Sequence, residues 1–227
     1  MGARGLGSAV SPGGGARGPA PVVPGRLGLL GGTFDPIHVG HLAIAEEARE
    51  DLGLERVVFI PSAVPPHRGR PTGASPEDRA AMVELAVAGN PFFSVDRLEL
   101  DRPGPSFAVD TLAILAARER AAGREPDLWF ILSAEAFVGL PTWRAPERVL
   151  ELARFAVVPR PGTPMPDRAW VEARFPRAGG RVTFLDGPLL DVSGTVIRAR
   201  IAAGRSLRYL VPDAVRAHIT DHGLYRS

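Results

Sequence analysis

The spacing of apolar and polar positions changes repeatedly along the chain from residue 26 onward. Short apolar or β-branched runs predict six strands, at residues 27–30, 56–60, 93–97, 127–132, 155–158 and 182–185. Between them, apolar positions at helical spacing predict helices at about 40–52, 76–88, 107–122, 146–152 and 167–174, with two more after Ser193 and Pro212. Because strands and helices alternate, we predict an α/β fold: a Rossmann-like, mostly parallel sheet with helices on both faces, in a single domain.

The N-terminal segment, residues 1–25, differs from the rest of the chain in composition. It is rich in Gly, Pro, Ala and Arg and lacks the uninterrupted apolar core of a signal peptide. We predict a disordered extension there, and a misassigned translation start would explain the segment equally well. No segment of the sequence approaches the run of about 18 apolar residues that a membrane helix needs, so we expect no membrane association.

The amino-acid composition narrows the chemistry that the protein can perform. Hydrophobic residues make up 45% and charged residues 23% of the 227-residue chain, as is ordinary for a globular protein. There is no cysteine, which excludes disulfides, thiolate metal sites and thiol catalysis and agrees with the cytoplasmic location that we expect. All 27 basic residues are arginine, so phosphate charge must be met by Arg, His, backbone N–H groups or a metal. A net charge of +2 is too small to indicate a nucleic-acid partner.

The segment from residue 31 to residue 41, GGTFDPIHVGH, is the strongest candidate for a functional site. It joins the first predicted strand to the first predicted helix, with His38 just before the helix and His41 in its first turn. Backbone N–H groups, the positive end of the helix dipole and two imidazoles therefore converge, which predicts a phosphate site. Gly31 and Gly32 allow the backbone to approach a ligand closely, and Gly40 leaves room between the histidines.

Two other interpretations of this segment are weaker. A zinc pair would need a third His or acid at metal-site spacing nearby, which the sequence does not offer, so we predict no metal site. A dinucleotide-binding dehydrogenase would show G-x-G-x-x-G and an acid at the end of the second strand, where this chain has Ile60 and Pro61. We expect Asp35, the carboxylate of the segment, to stabilise the turn.

A second candidate segment, residues 192–198, reads VSGTVIR and also leads from a strand-like run into a helix. Ser193 can cap that helix, and the amides of residues 194–196 and the hydroxyl of Thr195 can bind an anion. Arg198 follows Thr195 by three residues and can reach the same oxygens with two parallel hydrogen bonds. Taken with His38 and His41, this segment predicts a two-sided clamp for a triphosphate.

These two segments resemble the signature motifs of the HxGH nucleotidyltransferases, and the long form GGTFDPIHxGH resembles the nicotinate-nucleotide adenylyltransferase family. The resemblance spans nearly everything from residue 26 to residue 225 and implies that residues 26–227 form a nucleotidyltransferase domain. It implies that His38, His41, Thr195 and Arg198 are catalytic. The histidines are expected on the transferring and bridging phosphate oxygens, and Thr195 and Arg198 on the β- and γ-phosphates that leave. It also implies a larger set of ATP-binding residues: Gly31, Gly32, Thr33, Phe34, Gly40, Glu135, Arg160, Ser193 and Gly194.

Shorter matches to the same family imply where the mononucleotide binds. Trp143, in PTW, stands where the family stacks a side chain on the nicotinate ring, and amides at Ala108 and Arg144 are expected beside the nicotinate carboxylate. His67 and Arg68 resemble part of a PPHK loop that covers the mononucleotide. The clearest departure is at residues 133–135, which read SAE where the family has G-x-D.

The resemblance implies one step of NAD synthesis. The 5′-phosphate of nicotinate mononucleotide attacks the α-phosphorus of ATP, which gives nicotinate adenine dinucleotide and pyrophosphate. A phosphate monoester has a second pKa of about 6, so this nucleophile needs no general base. The expected partners are these two nucleotides, with Mg²⁺ held mainly by the ATP phosphates, and an oligomer is left open. Two alternatives also stay open: a phosphopantetheine adenylyltransferase, and a noncatalytic nucleotide-binding module that only the departure at 133–135 supports.

Overall fold

One six-stranded sheet forms the centre of the molecule in the computed structural model, which describes residues 18–65 and 72–226. The strands are β1 (Val23–Gly32), β2 (Leu54–Pro61), β3 (Phe93–Val95), β4 (Asp127–Ser133), β5 (Arg154–Val158) and β6 (Val182–Phe184). Every pair of neighbours is parallel, and the spatial order is β3-β2-β1-β4-β5-β6. This is the doubly wound order of the Rossmann fold, so the predicted fold class is confirmed.

The described residues also contain eight α-helices and one short 3₁₀ helix at Leu140–Thr142. The helices are α1 (Val39–Leu52), α2 (Pro76–Val87), α3 (Ala108–Ala121), α4 (Ala134–Val138), α5 (Pro146–Leu152), α6 (Arg168–Arg174), α7 (Gly194–Ala202) and α8 (Asp213–Asp221). Helix α4 and the 3₁₀ helix were not predicted, because elements of five and three residues are too short to show a periodic pattern. None of the helices described is long and apolar enough to cross a membrane.

The helices cover both faces of the sheet, as the alternating pattern predicts. Helices α1, α2, α7 and α8 contribute to one buried cluster, and α3 to α6 contribute to the other. Successive residues of β2 alternate between the two: Val57 and Phe59 pack in the first cluster, Val58 and Ile60 in the second. Side chains of a strand point alternately to opposite faces, so a run buried on both faces reads as continuously apolar.

The first strand begins earlier than the sequence indicated. Strand β1 begins at Val23, whose N–H donates to the Gly53 carbonyl at 2.9 Å, and the Ala20 N–H donates to the Glu50 carbonyl at 2.8 Å. The predicted boundary between residues 25 and 26 therefore falls inside β1. The sequence pattern did not predict a strand at Pro24 and Gly25, because both residue types usually occur in turns rather than in strands. The rest of the predicted extension, residues 1–17, lies outside the described residues.

Candidate active site

The two candidate segments meet beyond the carboxyl end of β1, beside the point where the strand order reverses between β1 and β4. Ligands of open parallel α/β sheets bind at such points, because the loops that follow the two strands diverge and leave a crevice. Two cavities open there, and Thr33 lines both of them. We call them the histidine cavity and the tryptophan cavity after the side chains in their walls.

The two histidines lie against each other at the start of α1. The imidazole rings stack with centroids 3.7 Å apart and planes inclined by 30°. His38 is the residue before the first turn and is buried, whereas His41 is half-buried and accepts a hydrogen bond at Nδ1 from the His38 backbone N–H at 3.2 Å. The edge of the Phe34 ring contacts His41 with centroids 5.1 Å apart, and Phe34 holds a left-handed backbone (φ 48°). The turn therefore fixes the direction of both imidazoles.

Both imidazoles are neutral near pH 7. Burial, assisted by the positive charge of Arg160, lowers the pKa of His38 to about 4. Burial and the neighbouring His38 and Arg160 hold the pKa of His41 well below its ordinary value. Because Nδ1 of His41 accepts a hydrogen bond from a backbone N–H, we assign the remaining proton of this ring to Nε2. His41 can therefore donate an Nε2–H hydrogen bond to a phosphate oxygen.

The histidine cavity has a volume of about 200 Å³ and gathers residues from both segments. It is lined by Thr33, Phe34, Asp35, Pro36, His38, His41, Arg160, Ser193, Gly194 and Thr195. The two segments touch at Gly194, where an added Cβ would lie 2.7 Å from the Asp35 carbonyl oxygen. The Ser193 hydroxyl accepts from the Val196 N–H at 3.3 Å and so caps α7. The histidine cavity is therefore lined by two neutral imidazoles, one guanidinium and the first turns of two helices. These groups make the cavity suitable for an anion.

The tryptophan cavity has a volume of about 270 Å³ and is mostly apolar. It is lined by Gly31, Gly32, Thr33, Ser62, Pro65, Glu99, Ser106, Phe107, Ala108, Phe130, Leu132, Ala136, Trp143 and Arg144. The Trp143 ring packs edge-on against Phe130 with centroids 6.1 Å apart, and the Arg144 guanidinium lies over the Phe107 ring at 4.8 Å. The structure thus brings together Ala108, Trp143 and Arg144, which the sequence assigned to the mononucleotide, next to the glycine turn.

Comparisons with known proteins show the family to which this chain belongs. The cytidylyltransferase-like family model matches residues 29–200. A protein of Roseiflexus sp. (strain RS-1), named as a probable nicotinate-nucleotide adenylyltransferase, is 50% identical over 200 residues, which are 88% of this chain and 98% of that protein. The chain belongs to the nicotinate-nucleotide adenylyltransferase family. A member from Thermus thermophilus, named in the same words, is 46% identical over 201 residues, which are 88% of this chain and 100% of that protein.

Solved structures of this family share the fold. The Plasmodium falciparum nicotinic acid mononucleotide adenylyltransferase in complex with NaAD superposes with a TM-score of 0.72, although only 13% of the residues are identical. The superposition covers 88% of this chain and 97% of that one. The family and the α/β architecture that the sequence motifs implied are both confirmed.

The departure from the family's G-x-D motif has a local structural explanation. The Ser133 hydroxyl accepts from the Ala136 N–H at 3.3 Å and so caps α4, a role that glycine lacks a side chain to perform. The Glu135 carboxylate extends to the Arg160 guanidinium at 3.1 Å, and both side chains are exposed. The family resemblance implied that both residues bind ATP. The structure places Arg160, but not Glu135, in the wall of the histidine cavity.

Arg198 lies behind the histidine cavity and does not line it. Its guanidinium donates to the Asp35 carbonyl oxygen at 2.5 Å and lies 3.4 Å from the Asp35 carboxylate. A second nitrogen donates to the Thr195 hydroxyl at 3.3 Å. In this structure Arg198 therefore joins the two segments, and its contact with the leaving phosphates stays a prediction.

Asp35 is the centre of a buried network that the sequence did not reveal. Its carboxylate accepts hydrogen bonds from the Gly73 N–H at 2.9 Å, the Ala74 N–H at 3.2 Å and the Tyr225 hydroxyl at 2.9 Å. Burial and the charge of Asp35 raise the pKa of Tyr225, so its hydroxyl stays protonated and keeps donating. Asp35 thus stabilises the turn as expected, but it does so through partners as far as 190 residues away in sequence.

Arg79 is a second residue that the sequence analysis missed. Its side chain is fully buried and donates to the Thr33 carbonyl at 2.6 Å and to the Ala63 carbonyl at 3.1 Å. Burying an arginine costs free energy unless its guanidinium is hydrogen-bonded. Because its two acceptors lie in the glycine turn and in the loop after β2, Arg79 holds these two segments together. The signal was an arginine on the face of α2 that also carries Ala80 and Val83. His67 and Arg68 lie outside the described residues.

Proposed function

We propose that this chain transfers the adenylyl group of ATP to nicotinate mononucleotide, which gives nicotinate adenine dinucleotide and pyrophosphate in NAD synthesis. The observation that carries the proposal is the pair of cavities that share Thr33. One suits a polyphosphate because it holds imidazole, guanidinium and helix N-termini, and the other suits a flat aromatic ring. The names of relatives up to 50% identical support the choice of acceptor.

In the proposed reaction, one phosphate oxygen of the mononucleotide forms a bond to the α-phosphorus of ATP. The bond from that phosphorus to the bridging oxygen breaks, and pyrophosphate leaves with the electron pair. The protein therefore contributes positioning and charge stabilisation rather than proton abstraction. We assign the His41 Nε2–H, the Arg160 guanidinium and the first turn of α7 to the oxygens on which negative charge increases.

Magnesium enters this proposal as an ion carried by ATP. Among the described residues that line the histidine cavity, the carboxylate belongs to Asp35, which accepts hydrogen bonds from Gly73, Ala74 and Tyr225 and pairs with Arg198. The described part of the cavity wall therefore fits an ion held by phosphate oxygens and water better than one held by protein carboxylates. Bound in this way, Mg²⁺ would neutralise part of the triphosphate charge.

Release of pyrophosphate with three acceptors tests the proposal. The acceptors are nicotinate mononucleotide, nicotinamide mononucleotide and phosphopantetheine, each offered with ATP. We expect the highest kcat/KM with nicotinate mononucleotide, because backbone amides near Ala108 and Arg144 can bind its carboxylate. Equal kcat/KM for the two mononucleotides would refute the assigned pocket, turnover with phosphopantetheine alone would favour that transferase, and ATP binding without turnover would favour a noncatalytic module. A cytoplasmic location stays a prediction.

A further inference from the structure

A cluster of three potential metal ligands lies where helix α8 packs against α2. Nε2 of His218 lies 3.2 Å from Oδ1 of Asp78, and the His218 and His222 rings stack with centroids 4.0 Å apart. One ligand atom from each of the three residues lies within 4.8 Å of those of the other two. Asp78 and His218 are partly buried, whereas His222 is exposed.

The hydrogen bonds around the cluster orient its ligand atoms. Nδ1 of His222 lies 3.0 Å from the His218 carbonyl oxygen, which can only accept, so Nδ1 carries the proton and Nε2 keeps a lone pair. The second oxygen of Asp78, Oδ2, accepts from the Ser75 hydroxyl at 2.7 Å, whereas Oδ1 forms a hydrogen bond with Nε2 of His218, so an ion bound by both atoms would replace the proton between them. Metal-binding histidines usually donate their other ring N–H to a carbonyl or carboxylate in this way.

The ligand types and their separation indicate the class of ion. Two ligands at roughly 2.0–2.1 Å from a tetrahedral ion lie about 3.3–3.5 Å apart, close to the 3.2 Å between Asp78 and His218. Histidines four residues apart share one helix face and can chelate one ion. Imidazole ligands suit Zn²⁺ and related ions, whereas Mg²⁺ prefers oxygen ligands alone.

We propose that Asp78, His218 and His222 bind one divalent transition-metal ion of the zinc class, which fastens the C-terminal helix α8 to α2. The chain continues from α8 to Tyr225, which holds Asp35, and Asp78 precedes Arg79, which holds Thr33. The ion would therefore stabilise the packing behind the glycine turn. This proposal differs from the expectation of no metal site, because Asp78 and His218 are 140 residues apart and sequence spacing does not reveal ligands so distant.

Metal titration of the full chain after treatment with a chelator tests this site. Co²⁺ is followed by its visible d–d absorption and Zn²⁺ by calorimetry, without nucleotide present. We expect one ion per chain in the wild type and a loss of affinity of about 100-fold or more in His222→Ala, whose side chain is exposed. Asp213→Asn is the matched control, because it removes a carboxylate from the same helix that pairs with Arg216 instead.

Two further measurements separate the site from other imidazoles and from unfolding. His41→Ala should keep the ion, because it leaves the cluster intact. Zn²⁺ should raise the Tm of the wild type and of Asp213→Asn but not of His222→Ala. The proposal is overturned if no ion binds, if His222→Ala binds it as tightly as the wild type, or if His41→Ala abolishes binding.

Discussion

Replacing Gly194 by Ala perturbs the contact between the two halves of the histidine cavity directly. A Cβ at this position would lie 2.7 Å from the Asp35 carbonyl oxygen and 3.2 Å from a guanidinium nitrogen of Arg198. Ordinary van der Waals contact begins at 3.4 Å, so the start of α7 and the glycine turn must separate by about 0.7 Å. The neighbour is backbone rather than a flexible side chain, and it therefore has little freedom to yield.

Misplacement of catalytic groups by about 1 Å can lower a rate by about 100-fold, so we expect Gly194→Ala to lower kcat/KM for ATP by about 10- to 100-fold. The assay is pyrophosphate release under steady-state conditions, with the Tm measured in parallel. Gly89→Ala is the matched control, because a Cβ there meets nothing within 4 Å. A folded Gly194→Ala protein with wild-type kcat/KM would refute the view that the two segments form one clamp.

Three further predictions concern the groups around the clamp. The pKa of His38 is about 4 in the folded protein against an ordinary value of 6.5, so the unfolded chain binds more protons and the free energy of unfolding decreases as pH falls from 6.5 to 4. In chemical denaturation, His38→Gln should reduce this decrease by up to about 3 kcal/mol. A pH profile identical to that of the wild type would contradict the prediction. Tyr225→Phe removes a hydrogen bond to a buried carboxylate and should lower the free energy of unfolding by about 1.5–3 kcal/mol in urea, whereas no loss would mean that Asp35 does not depend on it. Trp143→Ala should raise the KM for nicotinate mononucleotide more than the KM for ATP, because Trp143 lines only the tryptophan cavity; equal increases would refute this assignment.

Local patterns accounted for the sheet, the longer helices and the two segments of the clamp. The apolar runs of β2, β4 and β5 are buried on both faces, and Ser75 and Ser193 cap the helices that they precede. Such features depend on neighbouring residues, so periodicity and capping rules predict them. The position of the first segment followed from the rule that ligands bind beyond the carboxyl ends of parallel strands, whereas its meeting with the second segment was implied by the family resemblance. The second segment does not directly follow a strand, because β6 ends at Phe184, well before Ser193.

Contacts between distant parts of the chain could not be predicted in the same way. Tyr225 binds Asp35 across 190 residues, and His218 approaches Asp78 across 140. Nothing in the spacing of either pair indicates contact, because tertiary packing brings the residues together: α8 packs on α2 and so places His218 beside Asp78. The orientation of the Arg198 side chain could not be predicted either. Its separation of three residues from Thr195 agreed with phosphate binding, but in this structure its guanidinium contacts the Asp35 carbonyl and carboxylate oxygens.

The most direct measurement of the proposed reaction follows the α-phosphorus of ATP. ATP labelled at that phosphorus is incubated with nicotinate mononucleotide and either the wild-type protein or His41→Ala, and the products are separated. We predict label in nicotinate adenine dinucleotide, one pyrophosphate per dinucleotide, and a kcat lower by about 100- to 1,000-fold in folded His41→Ala, because one preorganised donor is lost. Label that stays in ATP or appears only in AMP, or a His41→Ala protein that turns over at the wild-type rate, would contradict the account.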